Sequence, residues 1–155
     1  KAQFPSESNA RQVGFWREIK DLPGVTLVAE ASSPVAEEAI KKATDVITAH
    51  PDLDLMYGCN AGGLIGAVLA VKNSGKKIPV FGIDLDKQIV GFLQSKDDIL
   101  QASTAQDPFK IGATAMDFAI KAVRGEAVEK RVIIPGLTLS RTDASAIAQY
   151  AKTVR

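Results

Sequence analysis

A chain of 155 residues, 46% hydrophobic and 24% charged, is long enough for one domain with its own apolar core and has neither the balance of a disordered chain nor that of a membrane protein. Nineteen basic against eighteen acidic residues leave a net charge of +1 with the signs interspersed, which argues against the basic stripe of a nucleic-acid binder. One cysteine, Cys59, excludes an internal disulfide, and with His50 the sole histidine no zinc cluster or Ser-His-Asp set can be assembled.

The first helix is expected from Ser8 or Asn9, whose side chains can cap free amides, to about Lys20, where Leu22-Pro23-Gly24 stops it. Val25–Ala29 is β-branched and apolar and predicts a strand. Ser33-Pro34 then opens a helix with Ala36, Ile40, Ala43 and Ile47 on one face, and His50-Pro51 ends it. Leu53–Gly58 predicts a strand, and Ala61–Asn73 a helix that turns Leu64, Ile65, Val68 and Leu69 to the sheet before Ser74-Gly75 closes the unit.

Ile78–Ile83 is the next strand, Gln88–Leu93 a short helix and Ile99–Ser103 a further strand. Asp107-Pro108 caps a helix that carries Ile111, Ala115, Phe118 and Ala119 to about Val123, and Gly125 marks its end. Arg131–Ile134 predicts a last strand, and Thr142 or Asp143 a cap for a terminal helix. The alternation specifies an α/β, doubly wound parallel sheet. Because it begins on a helix, and a crossover helix needs a strand on each side, one or more first strands are expected before Lys1.

Ligands of open parallel sheets bind beyond the carboxyl ends of the strands. Those positions hold Asn60, Asp84 and Gln106, with Asn9 and Arg11 at the opening helix. A carboxylate accepts from neighbouring hydroxyls, a guanidinium donates two parallel bonds and a carboxamide does one of each, so the set suits a polyol. Each residue alone is better explained as capping a helix or bracing a turn, and only their joint placement points to a ligand. No activated nucleophile or base accompanies them, so no catalytic residue and no enzyme is expected, nor any cofactor or metal. Gly58, Gly62, Gly63 and Gly66 match neither phosphate-loop spacing and point to close helix–sheet packing.

Asn9-Ala10-Arg11-Gln12-Val13-Gly14-Phe15, His50-Pro51-Asp52-Leu53-Asp54, Cys59-Asn60, Gly82-Ile83-Asp84 and Thr104-Ala105-Gln106-Asp107-Pro108 follow one another with family spacing. From Asn9 to Pro135 the chain resembles the type I periplasmic sugar-binding proteins, the ribose-binding type among them, and their LacI-type regulator relatives. The resemblance implies that Arg11, Asn60, Asp84 and Gln106 contact a sugar or polyol held between two closing lobes. It implies an ABC-type permease as partner and a periplasmic or extracytoplasmic home. Residues 1–106 would then form most of the carboxy-terminal lobe, and 107–155 would return to the amino-terminal lobe, which is absent from this sequence. Two departures bear on the solute: Pro34 falls near a position often aromatic, and Ala61 where an acidic residue often follows the asparagine. A LacI-type regulator core or a sensor domain for a receptor kinase would share these features.

Overall fold

A computed structural model describes residues 5–33 and 35–154. The expected proline at the start of the second helix, Pro34, and the opening residues Lys1 to Phe4 lie outside the described residues. In chain order the elements are α1 (Pro5–Ile19), α2 (Ala36–Ala49), β1 (Met56–Gly58), α3 (Ala61–Ser74), β2 (Val80–Ile83), α4 (Lys87–Gln94), β3 (Leu100–Ala105), α5 (Pro108–Val123), β4 (Leu137–Ser140) and α6 (Ala144–Ala151).

The four strands form one sheet in the order β1-β2-β3-β4, parallel from β1 to β3 and antiparallel between β3 and β4. α3 is the centre of the core. Leu64, Ile65, Ala67, Val68, Ala70 and Val71 are buried along it, and each fully buried Leu or Val contributes about 1.5–3 kcal/mol. Asn60 caps its start through Gly63 N, and Gly75 ends it at φ 69°, a left-handed cap that glycine adopts without strain.

Paired glycines let α3 approach so closely. Gly58 and Gly82 are register partners in β1 and β2. A Cβ on Gly58 would lie 2.5 Å from Leu64 Cα, and one on Gly82 would lie 2.6 Å from Leu64 Cδ1. Both therefore face α3. Alternation along a strand turns the neighbouring Tyr57 to the opposite face, where Phe15 of α1 stacks on it with ring centroids 4.0 Å apart and planes 3° from parallel. Helices thus lie on both faces of a parallel sheet, as expected of a doubly wound α/β fold.

Several expectations are corrected. α1 begins at Pro5, so the expected starting residues Ser8 and Asn9 lie inside the helix. α2 takes Val35 as its N-cap without a side-chain bond, and Ser33 instead donates to the Val35 carbonyl. Val25–Ala29 forms no strand, and Val25, Leu27 and Val28 are 40–50% exposed. Strand propensity expresses packing on a pleated surface, and no neighbouring strand among the described residues supplies one. Arg131–Ile134 likewise forms no strand, with Ile133 75% exposed. The last strand lies a few residues later, at Leu137–Ser140, where Leu139 alone is buried.

Residues 107–155 divide. α5 buries no residue, whereas β4 pairs with β3 and α6 packs against α4 and β4. Arg141 fixes that return, donating to the carbonyls of Phe92, Ser95 and Leu100 around the turn from α4 to β3.

Candidate ligand-binding site

The parallel strands end side by side, and the residues that follow them converge. Asn60 follows β1, Asp84 follows β2 and Gln106 follows β3. Arg11 reaches over from α1, donating from Nη1 to the Cys59 carbonyl at 3.2 Å and from Nη1 and Nη2 to the Asp84 carboxylate at 3.5 and 3.4 Å. Asp84 Oδ2 also accepts from Ala61 N at 2.9 Å. The first turn of α3 has no acidic residue of its own, so Asp84 places a negative charge at that helix N-terminus from outside, where the backbone dipole favours it.

Enough hydrogen-bonding capacity remains for a ligand. Asp84 Oδ1 accepts one bond, from Arg11, of the two that a carboxylate oxygen can take. The Arg11 side chain is 23% exposed and that of Asp84 33%, so both stay reachable from the strand ends. Asn60 spends Oδ1 on Gly63 N and makes only a 3.9 Å contact from Nδ2 to Cys59 Sγ. One amide hydrogen thus has no partner among the described residues and the other has only a weak sulfur acceptor, so both can turn to an incoming oxygen.

Gln106 is exposed and shares with Asp84, Leu85, Asp86, Pro108 and Tyr150 an open cavity of about 220 Å³. Complete ligand pockets run to ~300–1,000 Å³, and this one has a floor without a roof. Asn9 is exposed on α1. Arg11, Asn60 and Asp84 are thus drawn into one linked group, Gln106 stands beside it after the next strand, and among the described residues no side-chain hydrogen bond joins Asn9 to them. Asp86 caps α4 through Ile89 N, so the two carboxylates of Asp84-Leu85-Asp86 serve different ends.

Sequence reasoning missed three supports. Tyr57, below Arg11, has its phenol pushed above the ordinary tyrosine range, first by burial, then by Cys59 and Asp84, against the opposing pull of Arg11. Tyr150 donates to the Leu85 carbonyl at 3.3 Å from α6. Ser103 donates to the Asp84 carbonyl at 2.7 Å. The positive φ of Asp84, 81°, also left no mark in the sequence, where glycine is the residue that announces such a backbone. Among the described residues no group of acidic, histidine or cysteine side chains could hold a metal ion.

Comparisons with known proteins give the family. A family model described as a periplasmic binding protein domain matches residues 3–127, and the chain belongs to that family. It is 31% identical over 126 residues to the ABC transporter periplasmic-binding protein YphF of Escherichia coli, covering 79% of this chain and 38% of that protein. It is 33% identical over 91 residues to the ribose import binding protein RbsB of Bacillus subtilis, covering 59% and 29%. A solute-binding protein of an ABC transporter from Agrobacterium vitis, solved with bound D-fucose, superposes with a TM-score of 0.81 at 26% identity, over 93% of this chain and 49% of that one. The chain therefore spans half or less of the length of these relatives.

Proposed function

We propose that this chain supplies most of one lobe of a two-lobed receptor for a small sugar or polyol, the substrate-binding component of an ABC-type uptake system working outside the cytoplasm. The observation that carries the reading is the Arg11–Asp84 pair, set with Asn60 and Gln106 at the carboxyl ends of the parallel strands. Closure of a second lobe would complete the roof over the cavity, exclude water and strengthen each bond to the solute. Asp84 Oδ1 accepts from a hydroxyl, Arg11 and the Asn60 amide donate to ring or hydroxyl oxygens, and Gln106 does one of each. No proton transfer is required.

The division of the chain follows its packing. Residues 5–106 and 137–154 make the first lobe, while α5 and residues 126–136 carry apolar side chains that this lobe does not cover. Phe109, Met116, Val123 and Ile133 are 61–89% exposed. The amino-terminal lobe covers them, and the uptake permease receives the closed form. Arg11, Asn60 and Asp84 support this reading because they leave specific capacity unspent. Calorimetric titration of the full-length protein with D-ribose, D-allose, D-fucose and allitol tests it. One or more should bind, and Asp84→Ala should weaken that binding at least about tenfold, the loss of a charge-assisted hydrogen bond worth ~1.5–3 kcal/mol. Silence across the panel, or unchanged affinity of a folded Asp84→Ala variant, would count against it.

A further inference from the structure

Asp84 holds its carboxylate toward Arg11 and Ala61 only while its backbone stays in the left-handed region, at φ 81°. A residue with a Cβ keeps that conformation when its surroundings over-determine it. Both peptide groups of Asp84 are tied to β3. Its N–H donates to the Thr104 carbonyl at 2.8 Å, continuing the ladder beyond Ile83. Its carbonyl accepts from the Ser103 hydroxyl at 2.7 Å. Ser103 is 1% exposed and pairs in register with Gly82. A hydroxyl so deeply buried, on a residue in register with the buried Leu139, is retained only where it meets an acceptor.

We infer that Ser103 is a positioning residue for the ligand-binding carboxylate: its buried hydroxyl locks the left-handed turn at Asp84 and so aims the side chain at Arg11 and the α3 N-terminus. The inference rests on the reading of Asp84 as a ligand-binding group and adds how that group is held. Without the hydroxyl, the Asp84 carbonyl becomes a shielded acceptor with no donor, and the turn relaxes toward negative φ to find one. The carboxylate then swings off Ala61 N, and the preformed acceptor is lost before any solute arrives.

Amide hydrogen exchange of the full-length protein, followed by NMR, reads this directly. In Ser103→Ala the Ala61 amide should exchange at least about tenfold faster, while the Gly63 amide, bonded to Asn60, and the Ile89 amide, bonded to Asp86, change less than about twofold. Ser103→Thr, which keeps the hydroxyl, should restore Ala61 protection. An unchanged Ala61 amide in Ser103→Ala overturns the inference, and so does a rise at Ala61, Gly63 and Ile89 together, which is general loosening. A parallel titration with D-allose, D-ribose, D-fucose and allitol separates the two claims. If Asp84→Ala binds as well as the unchanged protein, the functional reading of Asp84 fails, whereas the exchange result still decides the role of Ser103.

Discussion

α3 and α5 are built from similar material and meet opposite fates. α3 has 14 residues, of which seven are buried, and α5 has 16, of which none is. Asn60 caps the first and Asp107 the second through the same kind of side-chain bond to the third residue on, so local helix chemistry does not separate them. What separates them is partners. α3 packs on β1, β2, α2 and α4, and α5 has no comparable packing on any other described element. An apolar helix face is a demand for cover, and only the first of these demands is met from within.

The largest test of that contrast is truncation on each helix. Leu64→Ala should lower stability by about 2–5 kcal/mol in urea unfolding, since it empties a wholly buried site. In the 155-residue chain Phe109→Ser, at a side chain 76% exposed, should change stability by no more than about 0.5 kcal/mol. In the full-length protein Phe109→Ser should instead cost about 2 kcal/mol or more, as burial of a large apolar side chain is lost. An equally small effect in both would break the division between lobes.

A smaller effect comes from the glycines. A Cβ on Gly66 of α3 would lie 2.3 Å from the Ala39 Cβ and 2.8 Å from Ala39 backbone, whereas one on Gly112 of α5 meets nothing within 4 Å. Gly66→Ala should cost about 1–3 kcal/mol through overpacking between α2 and α3. Gly112→Ala should gain about 0.5–1 kcal/mol in the 155-residue chain by removing a flexible residue from a helix interior. Thermal melts of the two variants should move in opposite directions.

The smallest effect is a titration that sees the packed part alone. The chain has two tyrosines, Tyr57 on β1 and Tyr150 on α6, and none on α5. Both phenols are raised, chiefly by burial; for Tyr150 the charges of Asp107 and Asp86 add to it. A raised folded value keeps the proton on where the unfolded chain begins to release it. Their contribution is full below a pH of about 10 and is lost as pH rises through the folded values. Near-ultraviolet phenolate absorbance should therefore increase when the protein is unfolded by denaturant at a pH near 10.

Much of this was legible in the residues because the signals were local. Ser74-Gly75, Asp107-Pro108 and Asp143 fall where the helix boundaries fall, Asn60 and Asp84 follow the strands expected before them, and Arg11 lies on the opening helix. The failures are non-local. Val25–Ala29 and Arg131–Ile134 have strand composition, yet a ladder needs a neighbour that a sequence window cannot reveal. Leu137–Ser140 was overlooked because a short edge strand with one buried residue leaves almost no pattern. Asn9, read with Arg11 at the opening helix, is exposed on α1, where two residues along a helix turn a side chain by roughly 200°.

The glycine pair under Leu64 ties the innards of the sheet to the rim that carries Asp84. Gly58 and Gly82 leave α3 seated directly on strand backbone, and the first residues of that helix, Asn60 and Ala61, are the ones that flank Asp84. A single methyl added at either position would act as a shim against Leu64, in the first turn of the helix, and press the Asn60–Ala61 end away from the strands. If this rim holds a solute as proposed, alanine at either glycine should weaken that binding from beneath the helix, and a screen that mutates only the rim would miss it.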